Sequence, residues 1–129
     1  IKQAKPEVKI FGVEPEGAPA MLRSMEAGKL ITLPKAETVA DGLKPVQVGE
    51  LTFEITARLI DNIVTVDDEA ILDAARHLVW MEKLVVEPSG AATFAAVRSG
   101  KIALPEGPAV IVVSGGNADL GRMLGITTE

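Results

Sequence analysis

The 129-residue chain has no cysteine, no tyrosine, one tryptophan and one histidine, and aromatic residues make up only 3% of it. The absence of cysteine removes disulfides, thiolate nucleophiles, Cys-ligated zinc and iron–sulfur clusters together, and predicts an intracellular, cytoplasmic setting. A single histidine leaves no metal-binding His spacing and no credible Ser-His-Asp nucleophile. His77 follows Asp73 by one helical turn on a polar face, which reads as a solvated pair rather than a catalytic base. Basic residues are also in the minority. Thirteen Lys+Arg against eighteen Asp+Glu give a net charge of -5 and a pI near 4.9, which argues against nucleic acid and membrane surfaces as partners. No apolar run approaches the roughly 20 residues of a bilayer-spanning helix, and Ile1-Lys2-Gln3-Ala4-Lys5-Pro6 is not a signal peptide.

What is present is strongly apolar: 47% hydrophobic against 24% charged residues, with a mean hydropathy of +0.27. Disorder is excluded, and the length is that of one domain. This apolarity exceeds what a self-contained domain of the size needs. The first residue is Ile rather than Met, and the chain therefore reads as a fragment whose surplus surface meets a missing segment or a second chain.

Val8 to Val13 predicts a strand ended by Glu14-Pro15-Glu16-Gly17, and Ala18, Met21, Leu22 and Met25 a helix stopping at Gly28. Pro34, Pro45 and Asp41-Gly42 mark the following stretch as loop. Leu51, Ile55, Leu59 and Ile60 keep helical spacing before the strand-like Ile63-Val64-Thr65-Val66. The acids Asp67-Asp68-Glu69 suit a helix start, with Ile71, Leu72, Ala75, Leu78 and Val79 as its buried stripe and Trp80 partly buried at its end. Leu84 to Val86 is a third strand candidate, Ser89 to Val97 a small-residue helix, and Ala109 to Val113 an unbroken apolar run expected to be the central strand. Continuous apolar strands separated by helices indicate an α/β fold, a parallel sheet with helices on both faces.

Two strand-to-helix junctions echo one another, Glu14-Pro15-Glu16-Gly17-Ala18 and Glu87-Pro88-Ser89-Gly90-Ala91. Packing alone accounts for the pair, since proline suits a first helical turn and small residues let a helix approach the sheet. A third junction, Ser114-Gly115-Gly116-Asn117, follows the most apolar run. Ligands of open parallel sheets bind beyond the carboxyl ends of the strands, so all three loops are expected on one face, with Ser114, Glu87 and Asn117 as candidates. On spacing alone the glycine pair serves equally as an ordinary turn or as a place where backbone approaches a flat or anionic ligand. Met21, Met25, Met81 and Met123 read as core filling. Lys83 sits among Glu82 and Glu87 near a helix end, with no sign of the desolvated pocket a Schiff-base lysine needs.

Taken in order, Gly12 to Met21, Thr38-Val39-Ala40-Asp41-Gly42, Gly49 to Phe53, Val64-Thr65-Val66, Lys83 to Ala92 and Ser114 to Asn117 resemble the threonine dehydratase and serine racemase family. The resemblance spans nearly the whole chain. It implies a pyridoxal-phosphate enzyme of fold type II, and it identifies residues 1–129 with the C-terminal part of the large catalytic domain. The Schiff-base lysine in a Ser-x-Lys motif and the tetraglycine phosphate loop of that family have no counterpart here, so the resemblance implies no catalytic residue in this piece and no activity from it alone. Its implied cofactor-binding residues are Ser114, toward the pyridine nitrogen, with Gly115, Gly116, Asn117 and Gly42 near the ring and Glu87 behind them.

A neutral hydroxyl at the ring nitrogen does not force protonation there, which suits loss of a β-hydroxyl. The implied reaction of the parent is the ammonia-lyase conversion of L-threonine, with L-serine as a further substrate, to a 2-oxo acid and ammonia. From threonine the product is 2-oxobutanoate, as in isoleucine biosynthesis. Within the resemblance a racemase or another β-eliminating lyase is the alternative, and a non-catalytic α/β binding or interaction module is the alternative of another class. Family racemases hold a divalent cation through an acid at position 14, the carbonyl at 18 and a second acid at 20. Position 20 here is Ala20, which leaves no metal site and favours the dehydratase branch. A homo-oligomer, or association with the missing N-terminal half, is expected of so apolar a piece.

Overall fold

The computed structural model describes residues 1–125. Strands β1 (Phe11–Pro15) and β2 (Asn62–Val66) pair in parallel, with Val13 opposite Val64 and Pro15 opposite Val66. Between them lie α1 (Ala20–Ala27), a loop with a 3₁₀ turn at Asp41–Leu43, and α2 (Glu50–Leu59). Helix α3 (Asp68–His77) continues into a π-helical turn at Leu78–Glu82, and α4 (Pro88–Arg98) and α5 (Leu120–Leu124) follow.

Side chains alternate across a strand, so Val13, Val64 and Val66 share one face and Gly12, Glu14 and Ile63 the other. The first set packs into the core formed with α3 and α4. On the second face Ile60 and Ile63 lie against Gly12, and the Glu14 carboxylate reaches the start of α1. The fold is the α/β one expected, with helices against both faces of parallel strands.

Asp67 caps α3 by accepting from the Ala70 amide at 2.8 Å, a bond that satisfies one of the donors left over at a helix start. The buried stripe is Ile71, Ala74, Ala75 and Leu78, and it meets Ala91, Ala92, Ala95 and Ala96 of α4. Alanine on both sides lets the two helix backbones approach closely. Replacing fully buried Ile71 by Ala removes about 2–5 kcal/mol. At the other end of the molecule Asp61 accepts from Lys2 and from the Ile10 amide, both at 2.7 Å, and ties the N-terminal segment to the start of β2.

Several expectations need correction. Neither Leu84–Val86 nor Ala109–Val113 is a strand, and the second is not central: Val110 and Val112 are exposed by 91% and 67%. A continuous apolar run signals burial on both sides, but among the described residues only one side of this segment is covered. Val113 packs on the core and the Val112 carbonyl accepts from Thr93 Oγ1 at 2.6 Å, while no strand among the described residues pairs with the segment. Trp80 and Met81 are exposed rather than packed. The π-helical turn carries more residues per turn than an α-helix, which rotates both off the stripe that Leu78 ends.

Candidate functional site

The site is built on the start of α4. Val86 is buried, the chain turns at Glu87, and Pro88 opens the helix, where its missing N–H is no loss. Glu87 stands at the N-cap with extended dihedrals, and its carbonyl accepts from the Gly90 and Ala91 amides at 3.0 and 3.2 Å. Its own amide donates to the Gly115 carbonyl at 3.0 Å, which fixes the segment after Val113 across the helix N-terminus.

Two glycines make that crossing possible. A Cβ on Gly90 would lie 1.5 Å from the Ser114 carbonyl oxygen, so any side chain there expels the crossing segment. Gly115 has φ +75°, and a Cβ on it would lie 2.4 Å from the Glu87 carboxyl carbon. The 3₁₀ turn joins from a third direction, with the Gly42 amide donating to Ser89 Oγ at 2.8 Å.

These contacts bring the sequence-derived residues into two adjoining cavities. Gly42, Glu87 and Asn117 line a cleft of about 120 Å³ together with Val39, Asp41, Pro88 and Ser89. Ser114 and Gly115 line a second, more open space of about 280 Å³ with Leu84, Val85, Val86 and Val113. The Glu87–Gly115 contact joins the two. Gly116 lines neither cavity, and a Cβ on it would sit 3.6 Å from the Val85 carbonyl. Among the described residues none hydrogen-bonds the exposed Ser114 hydroxyl.

The donor set fits a flat heteroaromatic phosphate ester such as the implied cofactor on the ring side. Gly42 backbone flanks the cleft, where a Cβ would close to 3.0 Å of Ser89 Oγ, and the neutral Ser114 hydroxyl belongs to the adjoining space. None of the residues lining the two cavities carries a positive charge to meet a phosphate.

The Glu14-Pro15 loop is expected on the same face but lines neither cavity. The two Glu14 carboxylate oxygens accept from the Met21 and Leu22 amides, at 2.8 Å each, so the group caps α1. His77 differs from its expected pairing with Asp73. Arg98 stands between them, 3.1 Å from His77 Nδ1 and 3.1 Å from the Asp73 carboxylate, with the Phe94 ring beside it. The exposed Lys83 donates to the Trp80 carbonyl and faces neither cavity. Ser89 lines the cleft and Gly90 admits the crossing segment, though the sequence reading treats both only as helix-start or packing positions.

The family of pyridoxal-phosphate dependent enzymes matches residues 1–115. The serine racemase of Oryza sativa subsp. indica is 44% identical over 125 residues, covering 93% of this chain and 37% of that protein. The biosynthetic L-threonine dehydratase of Halalkalibacterium halodurans is 40% identical over 123 residues, covering 95% of this chain and 30% of that protein. The solved structure of the processed form of threonine deaminase isoform 2 from Solanum lycopersicum superposes with a TM-score of 0.86 at 34% identity, covering 98% of this chain and 37% of that one. The chain thus spans well under half the length of the relatives it matches.

Proposed function

The chain belongs to the pyridoxal-phosphate dependent enzymes, and from that membership we propose that residues 1–129 are the C-terminal part of the large domain of a threonine dehydratase-type ammonia-lyase. The full-length enzyme acts on L-threonine and L-serine, releasing 2-oxobutanoate and ammonia from threonine. Proteins of this family use pyridoxal 5'-phosphate. When bound, the cofactor supplies an electron sink for the charge left as an amino acid loses its α-proton.

The residues of this chain hold and tune the ring. Ser114 offers a neutral hydroxyl to the pyridine nitrogen, where it accepts or donates without fixing a proton by charge. The backbone of Gly42 and Gly115 to Asn117 would hold the ring when it is bound, with Glu87 behind them, its own amide holding the Gly115 carbonyl. The reactive lysine and the phosphate-holding loop belong to the rest of the polypeptide, so these residues alone are expected to turn over no threonine.

One observation carries the choice of dehydratase over racemase. The Glu14 carboxylate already takes two amides of α1, and position 20 is an alanine, so a hard divalent cation would meet one engaged carboxylate rather than two acids. The 44% identity to a rice serine racemase supports racemisation as the second reading. Product analysis of the full-length protein separates them. The dehydratase reading expects 2-oxobutanoate from L-threonine, pyruvate in excess of D-serine from L-serine, and rates unchanged by EDTA. D-serine as the main product, or loss of rate on chelation, would overturn it.

A further inference from the structure

We propose that Asp68 is a positioning residue for the candidate site, holding the Thr38–Gly42 segment against the cleft from outside it. The inference rests on reading that cleft as the cofactor site. Helix α3 does not need Asp68 to begin, because Asp67 already supplies the cap to Ala70. Both Asp68 oxygens are instead committed to a segment about thirty residues upstream: one accepts from Thr38 Oγ1 at 2.5 Å and the other from the Val39 amide at 3.0 Å. Thr38 is 9% exposed, and its hydroxyl oxygen also accepts from the Ala40 amide at 3.1 Å. Ala40 itself is fully buried.

The far end of the same segment is held by the Gly42 amide on Ser89 Oγ at 2.8 Å. Between these anchors the chain supplies Val39, Asp41 and Gly42 to the cleft wall. Hydrogen bonds to a carboxylate are the stronger kind, and two on one short segment restrict both its position and its direction. Asp68 lines neither cavity, so its influence on a bound ring passes through Val39 and Gly42.

The test uses the full-length protein with two readouts: amide exchange at Val39 and Ala40 without cofactor, and the dissociation constant for pyridoxal 5'-phosphate from an absorbance titration. Asp68→Ala is expected to speed exchange and raise the dissociation constant, each by about tenfold. Thr38→Val moves both in the same direction and Thr38→Ser restores them. Asp68→Asn, which keeps one acceptor oxygen, falls between and stands in should Asp68→Ala fail to fold. Asp67→Ala lowers the unfolding midpoint but moves neither readout, which separates positioning from helix stability. Unchanged exchange in Asp68→Ala and Asp68→Asn overturns the clamp. Faster exchange with unchanged cofactor affinity also overturns it, and Ser114→Ala then distinguishes the two failures. A spectral shift in that variant leaves the site reading standing, and its silence removes the site reading as well.

Discussion

Glu14-Pro15-Glu16-Gly17-Ala18 and Glu87-Pro88-Ser89-Gly90-Ala91 start from nearly the same residues after a β-branched run, and they diverge in what their glutamate does. In the first, Glu14 and Pro15 remain in β1 and the helix waits until Ala20, so the carboxylate reaches forward to cap α1. In the second, Pro88 is already helical, Glu87 is the N-cap, and its carboxyl lies beside Gly115 and the cleft. The glycines behave alike. A Cβ on Gly17 would lie 1.8 Å from the Glu37 carbonyl oxygen, and one on Gly90 1.5 Å from that of Ser114. The motif therefore encodes a place for a crossing chain. Whether it becomes a binding edge depends on where the helix starts, since that decides whether the carboxylate is used internally.

The largest effect that sharpens this contrast comes from the glycines. Gly17→Ala and Gly90→Ala each force a carbonyl away and are expected to cost roughly 3 kcal/mol, the upper end of overpacking. Thermal unfolding of the full-length protein checks the loss. Only Gly90→Ala should also abolish pyridoxal 5'-phosphate binding, because only there does the displaced segment carry Ser114 and Gly115. Equal cofactor affinity in the two variants breaks the distinction.

A smaller effect separates the glutamates. Glu14→Ala leaves two amides of α1 without their acceptor and is expected to cost about 1–2 kcal/mol with cofactor affinity unchanged. Glu87→Gln should leave the unfolding midpoint near that of the parent and weaken cofactor binding modestly. Ser114→Ala goes further than Glu87→Gln at the ring: its exposed side chain fills no core, so turnover and the visible spectrum change while stability does not. Loss of stability without a spectral change would assign Ser114 to packing instead.

Local chemistry made much of this legible. The acids at Asp67–Glu69, the stop at Gly28 and the β-branched run Ile63–Val66 each produce the predicted element at nearly the predicted bounds. Ala109–Val113 failed for a reason of context, since a strand exists only where a partner's amides and carbonyls complete its ladder. Ser114, Glu87 and Asn117 are named from the strand-to-helix junctions and the glycines only through the resemblance, whereas the division between two cavities follows from how the Ser114 segment crosses α4. Asp68 stayed hidden because its partners Thr38 and Val39 are distant in sequence and polar residues carry no periodicity to betray a long-range bond.

The smallest effect concerns the carboxylate most completely used by its own surroundings. The Asp61 carboxyl is held down from 3.8 to about 2, chiefly by the Lys2 ammonium hydrogen-bonded to it and then by the Ile10 amide, with Lys9 at 3.4 Å adding to both. A depressed carboxyl favours the folded arrangement above its unfolded value and loses that favour as pH falls toward its folded one. The N-terminal tie should therefore be intact above about pH 4 and release as the pH falls toward about 2. Amide exchange at Ile10, referenced to buried Ile63, reads this locally and apart from global acid unfolding. Asp61→Asn should abolish the pH dependence, and Lys2→Ala should move the release upward toward the ordinary carboxyl range. A release that keeps its midpoint in Lys2→Ala would mean that the Ile10 amide, not the ion pair, holds the carboxylate, and would place Asp61 with Glu14 as a group used by backbone alone.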